Sequence, residues 1–506
     1  MNNTRRWWAL AAIMLSMLTI GFDATILNVA LPTLATALHA GTDGLQWMVN
    51  AYVLVFAGLL LPLGVLGDRF GRKRLMIVGL LLFGGASIVA TYAGSVGALI
   101  GARAFMGVGA AILTPVGMAL LPVLFPPEER AKAIAFAAIG MGAGVPLGPI
   151  IGGYLLGHFW WGSVFLVNVP VAVLGLIAIA LFVPESRDPA PRRADVVGGV
   201  LSTAGLVSFV YGVIEVPKRG WGDALVLGST ALGVVLIAAF IAWERRTSDP
   251  MIDLGLFARP RFLWGTLAAT IASFALFGLL FAVPQYLQEV QGNDALNTGV
   301  RLLPLMAGLI VGARGSEMLG RRLGAKVPVA AGLIFIAAGL ALGATTTVHS
   351  GYGLAAAWLS VVGVGTGLSL APAMDAVLGE LPPERSGAGS ALTQAFRQVG
   401  GALGVALLGS LLSATYIDRL DVTGLPAPAA RAAKDSVAGG VAVADQLHSA
   451  ALQASTQAAY IHAMDVVLLA CAAVALVGAV LVGLFLPARA ARPATGPAAP
   501  ELVPVS

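Results

Sequence analysis

Residues 51–91 read AYVLVFAGLLLPLGVLGDRFGRKRLMIVGLLLFGGASIVAT: two apolar runs joined by Asp68-Arg69-Phe70-Gly71-Arg72-Lys73-Arg74. An α-helix rises about 1.5 Å per residue, so about 20 apolar residues cross a hydrocarbon core about 30 Å thick. Two such runs around a basic joint make a hairpin of membrane-spanning helices with its turn in water. The same unit recurs in both directions along the 506 residues, of which 58% are hydrophobic and 11% charged. A soluble globular protein carries about 25% charged residues, so a cytosolic enzyme is excluded. The net charge of +5 would suit a nucleic-acid binder. The basic residues are instead scattered between apolar runs, with no stripe and no nucleic-acid module. Cys471 is the single cysteine, which rules out an intramolecular disulfide and a thiolate metal site. The histidines fall at span ends or in loops, so no metal cluster is expected.

Working outward from that hairpin, the sequence predicts spans near 7–34, 46–66, 75–95, 97–124, 133–156, 163–183, 196–216 and 224–243, then near 262–288, 298–319, 327–347, 353–378, 388–413 and 460–486. The first run is too long for a signal-peptide core and lacks a small-residue cleavage site, so it is read as a retained span. Loop charge tests the count, because one missed span inverts every later loop. With the N-terminus inside, inside segments hold 21 of the 30 Lys and Arg, outside loops hold five, and four lie within spans. The alternation holds from end to end, which predicts fourteen spans and both termini on the cytoplasmic side. Residues 414–459 are expected to form one long outside loop, and 487–506 a disordered tail.

The chain also repeats itself. Gly107-Val-Gly109 matches Gly363-Val-Gly365 at an offset of 256, and Pro126-Pro127-Glu128 matches Pro382-Pro383-Glu384. Gly144, Gly148 and Gly153 match Gly400, Gly404 and Gly409, while Pro32 matches Pro284 at an offset of 252. The ordered drift pairs spans 1–6 with spans 9–14 and leaves spans 7 and 8 as an unpaired hairpin. Duplicated bundles of this kind are common in transporters. The expected units are a six-helix bundle over 1–190, a two-span hairpin over 191–250, a second bundle over 251–486 and the tail.

Several segments carry candidate chemistry. In GVLGDRFGRKR, Gly64 to Arg74, Gly67 and Gly71 permit a tight turn, and Asp68 can pair with Arg69 or Arg72 or cap a helix start. A basic stop-transfer loop would have the same composition. Arg103, in LIGARAFMGVGAA, stands several residues inside a span, where an unpaired cation is expensive. It faces a cavity or forms a bundle-stabilising ion pair. In GVPLGPIIGG, Gly144, Gly148 and Gly152 recur every fourth residue and Gly153 adjoins them, giving a smooth face for close packing, while Pro149 favours a bend. FDATILNVALPTL sets Asp23 and Asn28 in the first span. Protonation removes the cost of an aspartate's charge there, so Asp23 can carry a proton or attract a cation, or it only hydrogen-bonds a neighbouring span. Asp375 and Arg397 are further cavity candidates, Asp375 alternatively an anchor at the membrane surface. Arg314 and Glu317 are spaced to pair with each other. Arg301, Glu215, Glu289 and Asp465 lie near span ends, within reach of headgroups or water.

Together these segments resemble the major facilitator superfamily. Gly64 to Arg74 resembles its inter-span signature, which implies that Asp68 and Arg72 latch two bundles in one state; Arg321 stands where Asp68 does in the second half, so that copy is degenerate. The Arg103 stretch resembles a signature whose arginine is associated with proton transfer. Gly144 to Gly153 resembles the signature of antiporters, not uptake symporters, and so implies export. Phe22 to Leu34 and WWGSVFLVNVP, Trp160 to Pro170, are similar to the fourteen-span drug:proton antiporters. The resemblance covers nearly the whole chain and implies an all-α membrane protein with the major facilitator fold. It implies proton-coupled export of amphipathic drugs or antibiotics, cationic ones included, by alternating access. Asp23 or Asp375 would exchange a proton against substrate in a central apolar cavity. The expected setting is a monomer in the lipid of a bacterial cytoplasmic membrane, with the proton gradient in place of any cofactor. Export of an endogenous metabolite such as a siderophore or an amino acid is the alternative. No Walker motif and no nucleophile–base constellation points to an ATP-driven pump or an enzyme.

Overall fold

The structure, a computed structural model, describes residues 3–187, 195–247, 250, 252–380 and 386–487. The helices in chain order are α1 Asn3–Ala37, α2 Thr42–Phe70, α3 Arg72–Thr91, α4 Val96–Leu124, α5 Pro127–His158, α6 Ser163–Leu166, α7 Asn168–Phe182, α8 Val196–Arg219, α9 Ala224–Glu244 and α10 Pro260–Gln285. They continue as α11 Ala295–Arg301, α12 Leu303–Leu323, α13 Lys326–Gly343, α14 Tyr352–Leu378, α15 Ser386–Leu403, α16 Gly409–Arg419, α17 Ala427–Asp435, α18 Val437–Gln446 and α19 Ala450–Phe485. Among the described residues there is no strand. Thirteen stretches are long and apolar enough to cross a membrane. The expected span at 133–156 falls on α5, which stands outside those thirteen because several of its side chains lie outside the described residues. We call the end where α1 begins the near face and the end where it finishes the far face.

One expectation needs correction. Residues 414–459 are not a plain loop: they form the end of α16, then α17 and α18, and the first turns of α19. Ser436 caps α18 by accepting from Gly439 N, and Ser449 caps α19 by accepting from Leu452 N, so each start has one of its free amides met. The span expected near 298–319 is found as Ala295–Leu323, with a one-residue turn at Leu302 between α11 and α12. The tail 488–506, the linker 188–194 and Pro382-Pro383-Glu384 lie outside the described residues.

Small residues set the packing. Gly140, Gly144, Gly148 and Gly152 put α5 against α1 so closely that a Cβ at Gly144 would stand 2.5 Å from Phe22 N. Gly308 and Gly312 of α12 meet the backbone of α14, whose Gly363 and Gly367 meet α12 in return. In lipid such close approach supplies the dispersion that the hydrophobic effect supplies in water. Leu81, Val89, Leu174, Ile177, Leu476, Val477 and Val480, on α3, α7 and α19, are exposed, as lipid-facing residues are.

The first half, α1–α7, meets the second, α10–α19, through α5 on α11, α2 on α15 and α1 on α10. Gly153 meets the backbone of Ala295 and Leu296, and Gly299 meets that of Pro149. The α8–α9 hairpin straddles the line between halves. Gly199 of α8 fits against Pro62 of α2, while Ser410 Oγ of α16 donates to Val213 O of α8 at 2.9 Å.

Candidate functional site

Asp23 of α1 and Arg103 of α4 meet deep in the first half. Arg103 Nη1 lies 2.5 Å from Asp23 Oδ2, and the side-chain exposures are 2% and 0%. Arg103 Nε donates to Met48 O at 3.1 Å, and the guanidinium lies 4.4 Å from the Tyr52 ring centroid, so carbonyl and π face from α2 share the cation. Asn168 Nδ2, at the start of α7, donates to Asp23 Oδ1 at 3.4 Å. Four helices thus converge on one carboxylate. Two residues touching this closed pair carry polar atoms without hydrogen-bond partners among the described residues, Tyr52 Oη and Asn168 Oδ1, and so do Asn28 (Oδ1) and Asn50 (both amide atoms), buried elsewhere on α1 and α2. Buried polar groups are nearly always satisfied, and water is the usual partner when protein is not.

The basic joint docks within its own half. Gly71 adopts φ +111°, a conformation that favours glycine, and a Cβ there would stand 2.7 Å from Glu185 Oε1. Glu185, just beyond α7, accepts from Lys73 N at 3.2 Å and lies 3.5 Å from Arg74 Nε, while Arg72 N donates to Ser186 O at 2.9 Å. Gly67 meets Val116 of α4, and Gly64 meets Pro115. The side chain of Asp68 lies outside the described residues, and the Arg69 guanidinium lies over its neighbour Phe70.

In the second half the expected candidates separate. Asp375 is exposed within the last turn of α14, close enough to feel Glu317, and the structure does not bring it to the Asp23 centre. Arg314 pairs with Glu317 at 3.2 Å, as their spacing predicts. Arg397 of α15 is half-buried; its Nε donates to Ser273 Oγ of α10 at 3.4 Å and its Nη1 to Gln394 Oε1 at 3.2 Å. Glu215 pairs with Arg219 at 2.8 Å near the far face. Arg301 lies over the Tyr352 ring and donates to Gln291.

The halves are clamped at the far face. Residues 404–408, between α15 and α16, form a π-turn whose wider coil displaces the usual hydrogen-bond pattern, so that Gly409 N is shared between Val405 O and Ala406 O. Gln46 Nε2 of α2 donates to both, each at 2.9 Å. Gln288 Nε2 of the second half donates to Val29 O of α1 at 2.9 Å.

Residues 13–405 match the Major Facilitator Superfamily. The chain belongs to this superfamily. Among the relatives of this superfamily member, the tetracenomycin C resistance and export protein of Streptomyces glaucescens is 34% identical over 99% of this chain and 94% of its own length. The multidrug efflux pump LfrA of Mycolicibacterium smegmatis is 35% identical over 88% of this chain and 89% of its own. Among solved structures, an inward-facing, occupied bacterial homologue of the human lysosomal transporter Spinster superposes with a TM-score of 0.69 at 17% identity, covering 95% of this chain and 97% of its own. The D-xylose-proton symporter gives 0.62 at 13% identity, covering 95% and 98%. At those identities the structures establish the all-α fold alone; membership of the superfamily and the export relatives make this chain a multi-pass membrane transporter and not an enzyme.

Some residues of this facilitator's centre escaped the sequence reading. Asn168 lies in the quoted segment WWGSVFLVNVP yet was not singled out, although an amide in an apolar run is a legible signal. Tyr52, Met48 and Glu185 carry no such signal, because their roles depend on which helix lies opposite.

Proposed function

We propose that this chain exports small amphipathic drugs or antibiotics across a bacterial cytoplasmic membrane, driven by inward proton flow, with the near face cytoplasmic and the chain working as a monomer. The end-to-end match to a relative named for resistance and export is the observation that carries the reading. The glycine face of α5, set between α1 and α11, supports it, because a joint between halves is where rocking would turn.

Asp23 is the proposed proton carrier. Protonating it would leave the Arg103 guanidinium buried with only Met48 O, the Tyr52 ring and the Met106 sulfur beside it. An uncompensated buried charge is strongly destabilising, so protonation and a shift of α1 against α4 are linked. The amide oxygens of Asn28 and Asn168 and both amide atoms of Asn50, which have no partner among the described residues, offer sites for the water that would bring the proton in. Asp375, exposed near the near face, is the second carboxylate that inward-moving protons would meet.

In proteoliposomes, an imposed proton gradient is expected to drive ethidium movement that a protonophore abolishes. Asp23→Asn is expected to slow it at least tenfold, with Asp23→Glu recovering part. Wild-type rates in Asp23→Asn would remove Asp23 from the coupling step, and ethidium and antibiotic movement indifferent to the gradient would remove proton coupling.

A further inference from the structure

Arg397 is a membrane-embedded cation whose described contacts are all neutral. Ser273 Oγ and Gln394 Oε1 accept from it, no carboxylate among the described residues comes within ion-pair distance, and the side chain keeps part of its surface open. It lies about three turns inside α15, near the middle of the span, on the face whose Gly400, Gly401 and Gly404 pack on α10. Transporter sites are typically found at that depth, between repeats. The internal duplication gives no counterpart, since Met141 aligns with Arg397 at the offset of that span. The cation is therefore a feature of one half, added to a position the other half fills with an apolar side chain.

The charge balance gives it a ligand. Asp23, the acid that would draw a cation, is closed off, with Arg103 on one oxygen and Asn168 on the other. Asp375 sits in the last turn of α14, towards the near face. Among the described residues, Arg397 thus leaves an uncompensated positive charge in the middle of the bundle, held in a fork of donors suited to a planar oxyanion. Resting on the export reading, we propose that Arg397 is the counter-ion for an acidic group of the cargo, a carboxylate or an ionised phenol or enol on an aromatic body. Nη2, which makes no hydrogen bond among the described residues, is the donor that the oxyanion takes, beside Ser273.

The test uses the whole chain in proteoliposomes at pH 7.5 with an imposed proton gradient, and two probes differing in one charge: 1-pyrenebutyrate and its primary amide. The wild type is expected to move pyrenebutyrate, Arg397→Gln to move it at least tenfold more slowly, and Arg397→Lys to keep part of the rate. Amide movement is expected to stay within twofold in all three. Equal losses for both probes would mean that Arg397 only packs the helices, and would overturn the proposal. So would an unchanged acid rate in Arg397→Gln, or a wild type that moves the amide and not the acid. A wild type that moves neither probe, while still moving ethidium, overturns the anion site alone; one that moves none of the three overturns the export reading with it.

Discussion

Asp23 and Arg103 neutralise each other where neither touches solvent, and their free energies are therefore not separable. Removing one partner strands the other charge, which costs about 3–5 kcal/mol, whereas replacing both by neutral groups is often tolerated. Thermal unfolding in detergent is expected to show a large drop for Asp23→Asn and for Arg103→Gln, and recovery of most of it in the double variant. Transport is expected to stay lost in all three. If the double variant were as unstable as the sum of the singles, the two side chains would not be acting as a pair. The duplication sharpens the point: Ala275 and Leu359 occupy the corresponding places of the second half, both buried and apolar. The second half thus packs at this position without an ion pair, which agrees with the proposed role of the pair in the first half. The sequence made both charges conspicuous and left their pairing open, because 80 residues separate them and only the packing of α1 on α4 brings them together.

The π-turn at 404–408 and the amide of Gln46 show how one element is completed by another. The turn leaves Val405 O and Ala406 O sharing one backbone donor, Gly409 N, in a buried place, and a side chain from the opposite half adds a second donor to each. Gln46→Leu would remove the bonds between the halves at a cost of about 0.5–1.5 kcal/mol each, all of it borne by the state in which the far face is closed. The expected result is a population shifted towards an open far face. A cysteine at Ser410, buried in this state, would then react faster with a membrane-impermeant maleimide added from the far side. Unchanged labelling would mean that other contacts hold the closure. The π-turn itself is invisible in the sequence, since GVALL reads as ordinary apolar helix.

Across the whole molecule, three separate pieces meet at the far face: the turn between α1 and α2, the end of α8, and the α17–α18 segment. Thr42 Oγ1 donates to Asp435 O at 3.1 Å, and Lys218 pairs with Asp43 at 2.8 Å. Burial holds the Asp435 carboxyl above the usual aspartate range; Lys218 pulls it down, Asp43 pushes it up, and Arg431 pulls it down. A carboxyl raised by folding favours the docked form when protonated, so its contribution is present below the ordinary aspartate value and fades as pH rises through the folded one. Protease protection of residues 420–449 is therefore expected to fall as pH climbs above the ordinary aspartate range. Asp435→Asn is expected to remove that dependence and keep the segment docked at neutral pH. Protection in Asp435→Asn that still fell with pH would place the titration elsewhere.

Hydropathy and loop charge are local or one-dimensional properties, and they were enough to show a helical membrane protein, because lipid leaves a chain few ways to satisfy its backbone, while the signature segments pointed to its superfamily. They also marked Asp23, Arg103 and Arg397, since an ionisable group in an apolar run stands out whatever surrounds it. What only the tertiary structure decided is which of these charges are matched: Asp23 with Arg103, Asp375 apart from both, Arg397 among neutral partners. It also showed that the stretch taken for a plain outer loop folds into helices that rest on the first half. Pairing and docking depend on which faces of distant helices meet, and that is set by packing summed over the whole bundle, which no stretch of sequence carries by itself.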